Sequence, residues 1–342
     1  MAVKLGAMIA SLLALLTVTA APPLGVATRN AAVAVLDHAL RTYYVVPEVG
    51  QRAGAALRAQ HYTETDPEAF AAALTRDLQQ VAHDRHLRVR FDPEFRGGSD
   101  PEAEASAEER SRFERRLERH NFGVAKVEVL PGNVGLLDLR DFAPVAVAGP
   151  TLTAAMGLLA HTDALILDLR GNGGGVRETI AFLCSYFFPE GSRVHLNDIY
   201  DRPSNHTDEF WSRPSVPGPR YAGKPMYVLT SGRTFSAGEA MAYDLQALKR
   251  ATLIGETTGG GANPGGPVAL GGGLVAFIPT GRAINPITRT NWEGVGVKPD
   301  VAVPAARALE VAHSSALRAL LDHARDPEQR RALEQALHPP AN

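Results

Sequence analysis

Residues 164–187 read ALILDLRGNGGGVRETIAFLCSYF. The apolar run from Ala164 to Leu167 is short and carries no charge, which predicts a strand covered on both faces, as in a parallel sheet. Asp168-Leu-Arg-Gly-Asn-Gly-Gly-Gly175 follows. Its glycines let the backbone turn tightly, approach a ligand and aim several N–H groups at one point. Arg177 to Phe187 then carries apolar residues at helical spacing. Donors at a helix N-terminus stabilise an anion, either a phosphate or a developing oxyanion. The spacing is neither the Gly-x-Gly-x-x-Gly dinucleotide pattern nor a phosphate-binding loop ending in Gly-Lys-Ser/Thr.

The same texture repeats on either side. Val127-Glu-Val-Leu, Val134-Gly-Leu-Leu-Asp-Leu, Met226-Tyr-Val-Leu-Thr, Leu253-Ile-Gly-Glu and Leu274-Val-Ala-Phe-Ile-Pro read as strands. Thr151 to His161 and Ala237 to Leu248 read as helices between them. Alternation of this kind predicts an α/β fold with helices packed on a sheet. Residues 29–82 read as helical, with Asp66-Pro-Glu as a helix start: Asp at the N-cap and Pro in the first turn. Leu87-Arg-Val-Arg-Phe alternates and reads as a strand with one wet face. Residues 96–121 are dense in charge and read as an exposed linker, helix or lid; residues 305–337 read as closing helices.

Composition sets outer limits. The chain has 342 residues, 45% hydrophobic and 21% charged, with a formal net charge of -2. That is an ordinary globular balance with no field to recruit nucleic acid or an anionic membrane. A single cysteine, Cys184, excludes an intramolecular disulfide; within its apolar run it reads as a small core residue, not a nucleophile. Lys4, the apolar stretch Leu5 to Ala20 and the small residues Val18-Thr-Ala20 read as a signal peptide over residues 1–21, which predicts an exported, periplasmic or secreted protein.

Met226 to Tyr243 reads strand, turn, helix, and places Ser236 at the first turn of the helix with Gly238 two residues on. There the N–H of Ser236 or Ala237 faces a substrate and the helix dipole favours negative charge. The same serine would also serve as an ordinary N-cap. A serine nucleophile needs a base, and the base needs orientation. Of eleven histidines, His86 stands where the helical unit meets the first strand. A His83/His86 metal pair lacks a third ligand nearby, so no metal and no cofactor is expected. Glu239 reads as an exposed first-turn residue suited to the dipole, and Glu256 as serving its local turn.

Five ordered segments carry a resemblance: Asp84-Arg-His-Leu-Arg-Val, Leu167-Asp-Leu-Arg-Gly-Asn-Gly-Gly-Gly, Thr230-Ser-Gly-Arg-Thr-Phe-Ser-Ala-Gly-Glu, Ile254-Gly-Glu-Thr-Thr-Gly-Gly-Gly and Asn291-Trp-Glu-Gly-Val-Gly-Val-Lys-Pro-Asp. Across residues 30–303 the sequence resembles the tail-specific (C-terminal processing) serine proteases, most closely their tricorn-core and interphotoreceptor retinoid-binding-protein branch. The resemblance implies a catalytic α/β sandwich-like domain of the ClpP/crotonase type over residues 122–305. A helical N-terminal unit (29–95), a charged linker or lid (96–121) and a C-terminal helical extension (306–342) would flank it. It implies Ser236 as nucleophile, His86 as general base and Glu293 as the acid orienting it. Ala237 and a glycine of the 173–175 run, placed at Gly174, would form the oxyanion hole. It assigns no role to Arg85.

Two departures stand out. The processing proteases pair serine with a lysine about 25 residues later, whereas Thr257-Thr-Gly-Gly-Gly-Ala-Asn-Pro-Gly-Gly holds none. No PDZ-like module fits between the helical unit and the sheet. The expected partner is a peptide or protein substrate, with a homo-oligomer open. Two other functions compete: a catalytically silent binder of apolar ligands, like the retinoid-binding relatives, and an α/β-hydrolase esterase using Ser236, Asp300 and His313.

Overall fold

The computed structural model describes residues 21–97 and 107–338; all but the last residue of the expected signal peptide lies outside them, as does part of the charged segment. Three helices open the chain, α1 (Val26–Tyr43), α2 (Pro47–Ala59) and α3 (Pro67–Ala82), and β1 (Arg88–Phe91) follows. The Asp66 side chain caps α3 by accepting from Ala69 N at 2.8 Å, as the Asp-Pro-Glu start predicts. The charged segment contributes a helix, α4 (Ala107–Arg119), anchored by buried Leu117 in the main core.

The central sheet is formed by β2 (Val124–Leu130), β3 (Val134–Leu139), β4 (Ala164–Asp168), β7 (Met226–Thr230), β8 (Thr252–Gly255) and β12 (Val301–Ala302). Its order is β12-β8-β7-β4-β3-β2; β2 runs antiparallel to β3, and the other neighbours pair parallel. Both faces are covered, and the two-residue period of a strand divides the apolar run between them. Leu165 and Leu167 face the core formed with α5 (Val145–Leu159), α6 (Arg177–Ser185) and α7 (Ala237–Ala247). Ala164 and Ile166 face α8 (Ala308–His323), whose Ala308, Ala312 and Ala316 recur every four residues and present one small-residue stripe to the sheet; Leu333 of α9 (Pro327–Leu337) completes that side. Cys184 is fully buried in the α6 core, and burial pushes its thiol pKa well up.

Two smaller antiparallel sheets complete the fold. One is β1-β10-β9, made with β9 (Gly265–Gly271) and β10 (Leu274–Pro279); the other is β11-β5-β6, made with β5 (His195–Asp201), β6 (His206–Trp211) and β11 (Gly281–Ile284). α1–α3 pack on the first of these, so Leu36, Leu40, Phe70 and Leu74 share a core with Val268, Leu274, Ala276 and Ile278 from far along the chain. The N-terminal helices therefore have no core of their own apart from β9 and β10.

Candidate active site

β4, β7 and β8 are adjacent parallel strands, and their carboxyl ends release three loops toward one place: the glycine turn 169–175, the serine turn 231–236 and the segment 256–263. Ligand sites in open α/β sheets form at carboxyl ends of this kind. A cavity of about 440 Å³ lies there, lined among others by His86, Gly173, Gly175, Phe235, Ser236 and Ala237.

The serine turn is fixed from below. Thr234 Oγ1 donates to Leu169 O at 2.8 Å and accepts from Ser231 N at 3.0 Å, tying the β4 and β7 exits together. Ser236 follows with φ 53° and ψ −119°, a conformation costly for a residue with a Cβ. Ser236 N–H donates to Glu239 Oε2 at 2.9 Å. Of the two donors weighed from sequence, it is therefore Ala237 N–H that stays without an acceptor among the described residues.

Asn172, fully buried and unassigned from sequence, joins the glycine turn to the serine turn. Its Nδ2 donates to Leu139 O at 3.0 Å, its Oδ1 accepts from Gly174 N at 2.9 Å, and its carbonyl accepts from Phe235 N at 3.0 Å. Gly238 lets α7 come this close: a Cβ there would stand 2.7 Å from Asn172 Oδ1. This network bears on which glycine N–H of the 173–175 run is free. Gly174 N–H is engaged by Asn172, and Gly173 N–H donates to Arg140 O at 3.2 Å. Gly175 N–H alone of the three has no acceptor among the described residues. Gly174 instead packs against Ser236, where a Cβ would lie 2.9 Å from Ser236 Cβ.

Glu239 is corrected. It is fully buried, not exposed. Its carboxylate accepts from Ser236 N, from Thr258 Oγ1 at 2.5 Å, from Gly260 N at 2.6 Å and from Gly261 N at 2.8 Å. Burial pushes its pKa up, and these four bonds pull it down. The residue binds the glycine-rich loop over the start of α7. Glu256 is exposed at its turn, as expected, where it accepts from Ala305 N and Gly232 N.

His86 enters from the other small sheet. Its backbone N–H donates to buried Asp84 Oδ1 at 2.9 Å, and its ring lies between Phe235 (centroids 4.5 Å apart) and Phe277 of β10 (5.7 Å). Asp84 Oδ2 is held by Tyr44 Oη and Asn263 Nδ2, each at 3.1 Å. Glu293 Oε2 accepts from Ala262 N at 2.5 Å and Asn263 N at 3.0 Å. One ligand atom each from Asp84, His86 and Glu293 lies within 4.8 Å of the others. Two buried atoms in this group lack hydrogen-bond partners: His86 Nδ1 and Glu293 Oε1. Burial, with Arg88 adding to it, pushes the His86 pKa down to about 4. Burial, then the charge of Asp84, raises Glu293 well above the usual carboxylate range. Ser236 and His86 line the same cavity without a hydrogen bond between them in this conformation. Arg85 donates to Gly259 O at 2.7 Å with its guanidinium over the Phe235 ring.

The α/β-hydrolase arrangement is overturned. Asp300 accepts from Gln246 Nε2 and Leu253 N, and His313 lies on α8, across the central sheet, against Pro131 O. Neither lines the cavity.

The sequence matches Peptidase family S41 over residues 133–303, half of the chain. It is 33% identical to the tail-specific protease of Haemophilus influenzae over 98 residues, which is 29% of this chain and 13% of the relative. It is 31% identical to the carboxy-terminal processing protease CtpA of Bacillus subtilis over 135 residues, 39% of this chain and 27% of the relative. The chain thus spans well under half the length of these relatives. Among solved structures, a lipoprotein from Streptococcus agalactiae superposes with a TM-score of 0.53 at 13% identity, covering 86% of this chain and 97% of that one. Mature CPAF superposes with a TM-score of 0.50 at 15% identity, covering 93% and 99%. At these identities the structural likeness speaks for the fold. No helix among the described residues is long and apolar enough to cross a membrane.

Proposed function

This chain belongs to peptidase family S41, and from that premise we propose that it is a serine peptidase that hydrolyses peptide bonds through an acyl-enzyme on Ser236. The observation that carries the reading is Ser236 itself. It is held at positive φ on the cavity wall, beside two unpartnered backbone N–H groups and in the same cavity as a histidine. Ser236 is the N-cap of α7, but an N-cap ordinarily takes extended backbone, and capping alone does not require its positive φ.

Ser236 Oγ attacks the carbonyl carbon of the scissile bond and gives its proton to His86. The N–H groups of Ala237 and Gly175 receive the oxyanion, each contributing about 3 kcal/mol to the transition state. His86 then protonates the leaving amine, and water hydrolyses the ester by the same route. Glu293 orients the imidazole: its free Oε1 and His86 Nδ1 are the two orphaned atoms of the group, and each supplies what the other lacks. Catalytic hydrogen bonds tighten when substrate binds, so a short movement of the imidazole past Phe235 toward Ser236 completes the set. The leader at residues 1–21 directs the chain to export, so the substrates are exported proteins or peptides.

A fluorophosphonate probe with mass-spectrometric mapping tests this. It should modify Ser236, and should fail on Ser236→Ala and on His86→Ala while still labelling His313→Ala. No adduct on the intact protein would make it a binder of apolar ligands.

A further inference from the structure

The cavity continues past Ser236 along α7. Ser236 at its start, Ala240 one turn on and Asp244 two turns on all line it, at the four-residue spacing of one helix face. Ile180, Leu196, Ile199, Ala283 and Trp292 make the intervening wall apolar. The floor is polar. Asp244 is 1% exposed, and its Oδ1 accepts from Asn197 Nδ2 at 2.9 Å and Asn285 Nδ2 at 3.1 Å. Asn285 cannot be turned the other way, because its own Oδ1 accepts from Ile287 N and Thr288 N. Both donors on Asp244 are therefore neutral amides; its Oδ2 takes none from the described residues. Asn197, 94% buried and also on the cavity wall, has Oδ1 without any partner. Arg88, Arg177 and Glu178 also line the cavity; at the polar end of the shaft Asp244 Oδ2 and Asn197 Oδ1 are two acceptor atoms that take no hydrogen bond from the described residues.

We propose that this shaft receives the substrate side chain on the amino side of the scissile bond, and that Asp244 with Asn197 selects lysine or arginine there. The inference rests on the peptidase reading above and names its substrate class. Length supports it. Eight residues separate Ser236 from Asp244, about 12 Å along a helix, and a helical side chain leans back toward the N-terminus. A lysine ammonium ends about 6 Å from its Cα, and that Cα stands a further few ångströms from the attacking hydroxyl. A leucine would leave the floor unreached and the buried carboxylate unpaired, and a site built to hydrogen-bond its substrate discriminates strongly against analogues lacking the group. Burial pushes the Asp244 pKa up to about 7, and a cation bound beside it would favour the ionised form.

The experiment digests a proteome-derived peptide library with the full chain and maps every cut, then compares defined peptides with lysine or norleucine before the bond. Norleucine keeps the stem and lacks the amine. Lysine and arginine should precede most cuts, and lysine should exceed norleucine at least tenfold in kcat/KM. Asp244→Asn should bring the two within about threefold. Ala240→Phe, which blocks the shaft one turn above the floor, should move the preference to alanine or glycine. Thermal unfolding checks that both variants are folded; should Asp244→Asn fail to fold, the norleucine ratio and Ala240→Phe still decide. Norleucine cleaved as fast as lysine by the unaltered protein, or a lysine preference surviving in folded Asp244→Asn, overturns the specificity and leaves the peptidase reading standing. No cuts together with no fluorophosphonate adduct at Ser236 overturns both.

Discussion

Replacing Glu239 by glutamine changes one atom in a carboxylate surrounded by donors, and its cost follows from which donors can adapt. Oε2 takes Ser236 N and Gly261 N; Oε1 takes Thr258 Oγ1 and Gly260 N. The glutamine carbonyl does least harm at the Oε2 position, where it keeps two backbone N–H donors. The amide nitrogen then faces Thr258, whose hydroxyl turns to accept, and Gly260 N–H, which cannot. One buried N–H is left without an acceptor, at about 1–3 kcal/mol, and the two surviving bonds lose their charge assistance, at about 1 kcal/mol each. Relief of burying a charge at a fully enclosed site returns part of this, so the net destabilisation should be about 2–3 kcal/mol. Glu239→Ala strands all four donors and leaves a void, and should cost about 4–5 kcal/mol. Urea unfolding followed by circular dichroism and fluorescence measures both. Peptidase kcat should fall at least tenfold in the alanine variant, because there the backbone of Ser236 loses its tether, and less in the glutamine variant, which keeps it. A glutamine variant within 0.5 kcal/mol of the parent, or an alanine variant no worse than it, would refute this account of the loop.

Four further outcomes are expected. With the His86 pKa pushed down to about 4, the imidazole stays neutral and able to accept a proton well below pH 6, so kcat/KM should hold until the pH approaches 4; a midpoint at the ordinary histidine value of about 6.5 would show that the imidazole is not buried in the working enzyme. Because the unfolded chain takes up that proton near pH 6.5 and the folded one resists it, this group's contribution to stability is complete above that value and lost as pH falls toward 4, readable as a falling Tm. Gly174→Ala, at φ 118° with its Cβ 2.9 Å from Ser236 Cβ, should lower kcat more than a hundredfold, whereas Gly173→Ala, whose Cβ meets nothing within 4 Å, should retain activity. Cys184, fully buried with a raised pKa, should resist iodoacetamide in the folded protein and react after unfolding.

What could be read from sequence followed from burial. The inner strands β4 and β7 of the central sheet are enclosed on both faces, so their runs, Ala164 to Leu167 and Met226 to Leu229, are apolar throughout and stand out. The β5–β6 hairpin could not be read this way: β6, His206–Trp211, is exposed or half-buried along its length, and its polar residues carry no period. Strand β9 hides behind its glycines. Glu239 was misread for a related reason. A glutamate in a first helical turn suits the dipole whether or not anything covers it, and its burial is decided by Thr258-Gly-Gly-Gly261, which supplies donors and almost no side-chain acceptors. The three glycines at 173–175 are equivalent as letters; the side chain of Asn172 distinguishes them by taking the N–H of one.

The proposed catalytic set draws on two cores that sequence order keeps apart. Loops leaving β4, β7 and β8 bring Ser236 and the glycine turn together by strand adjacency alone, since neighbouring parallel strands deliver their carboxyl ends to the same edge. His86 has no such guarantee. It stands just before β1, and β1 is placed by pairing with β10, Arg88 opposite Phe277, under helices α1–α3. Phe277 in turn stacks on His86. The segment linking the systems is 256–263, which Glu239 fixes to the serine turn and Asn263 fixes to Asp84, the acceptor of the His86 backbone. The serine turn and the separately mounted histidine are thus joined by one buried polar chain, and in the proposed catalytic set His86 is the member whose position depends on both halves being folded.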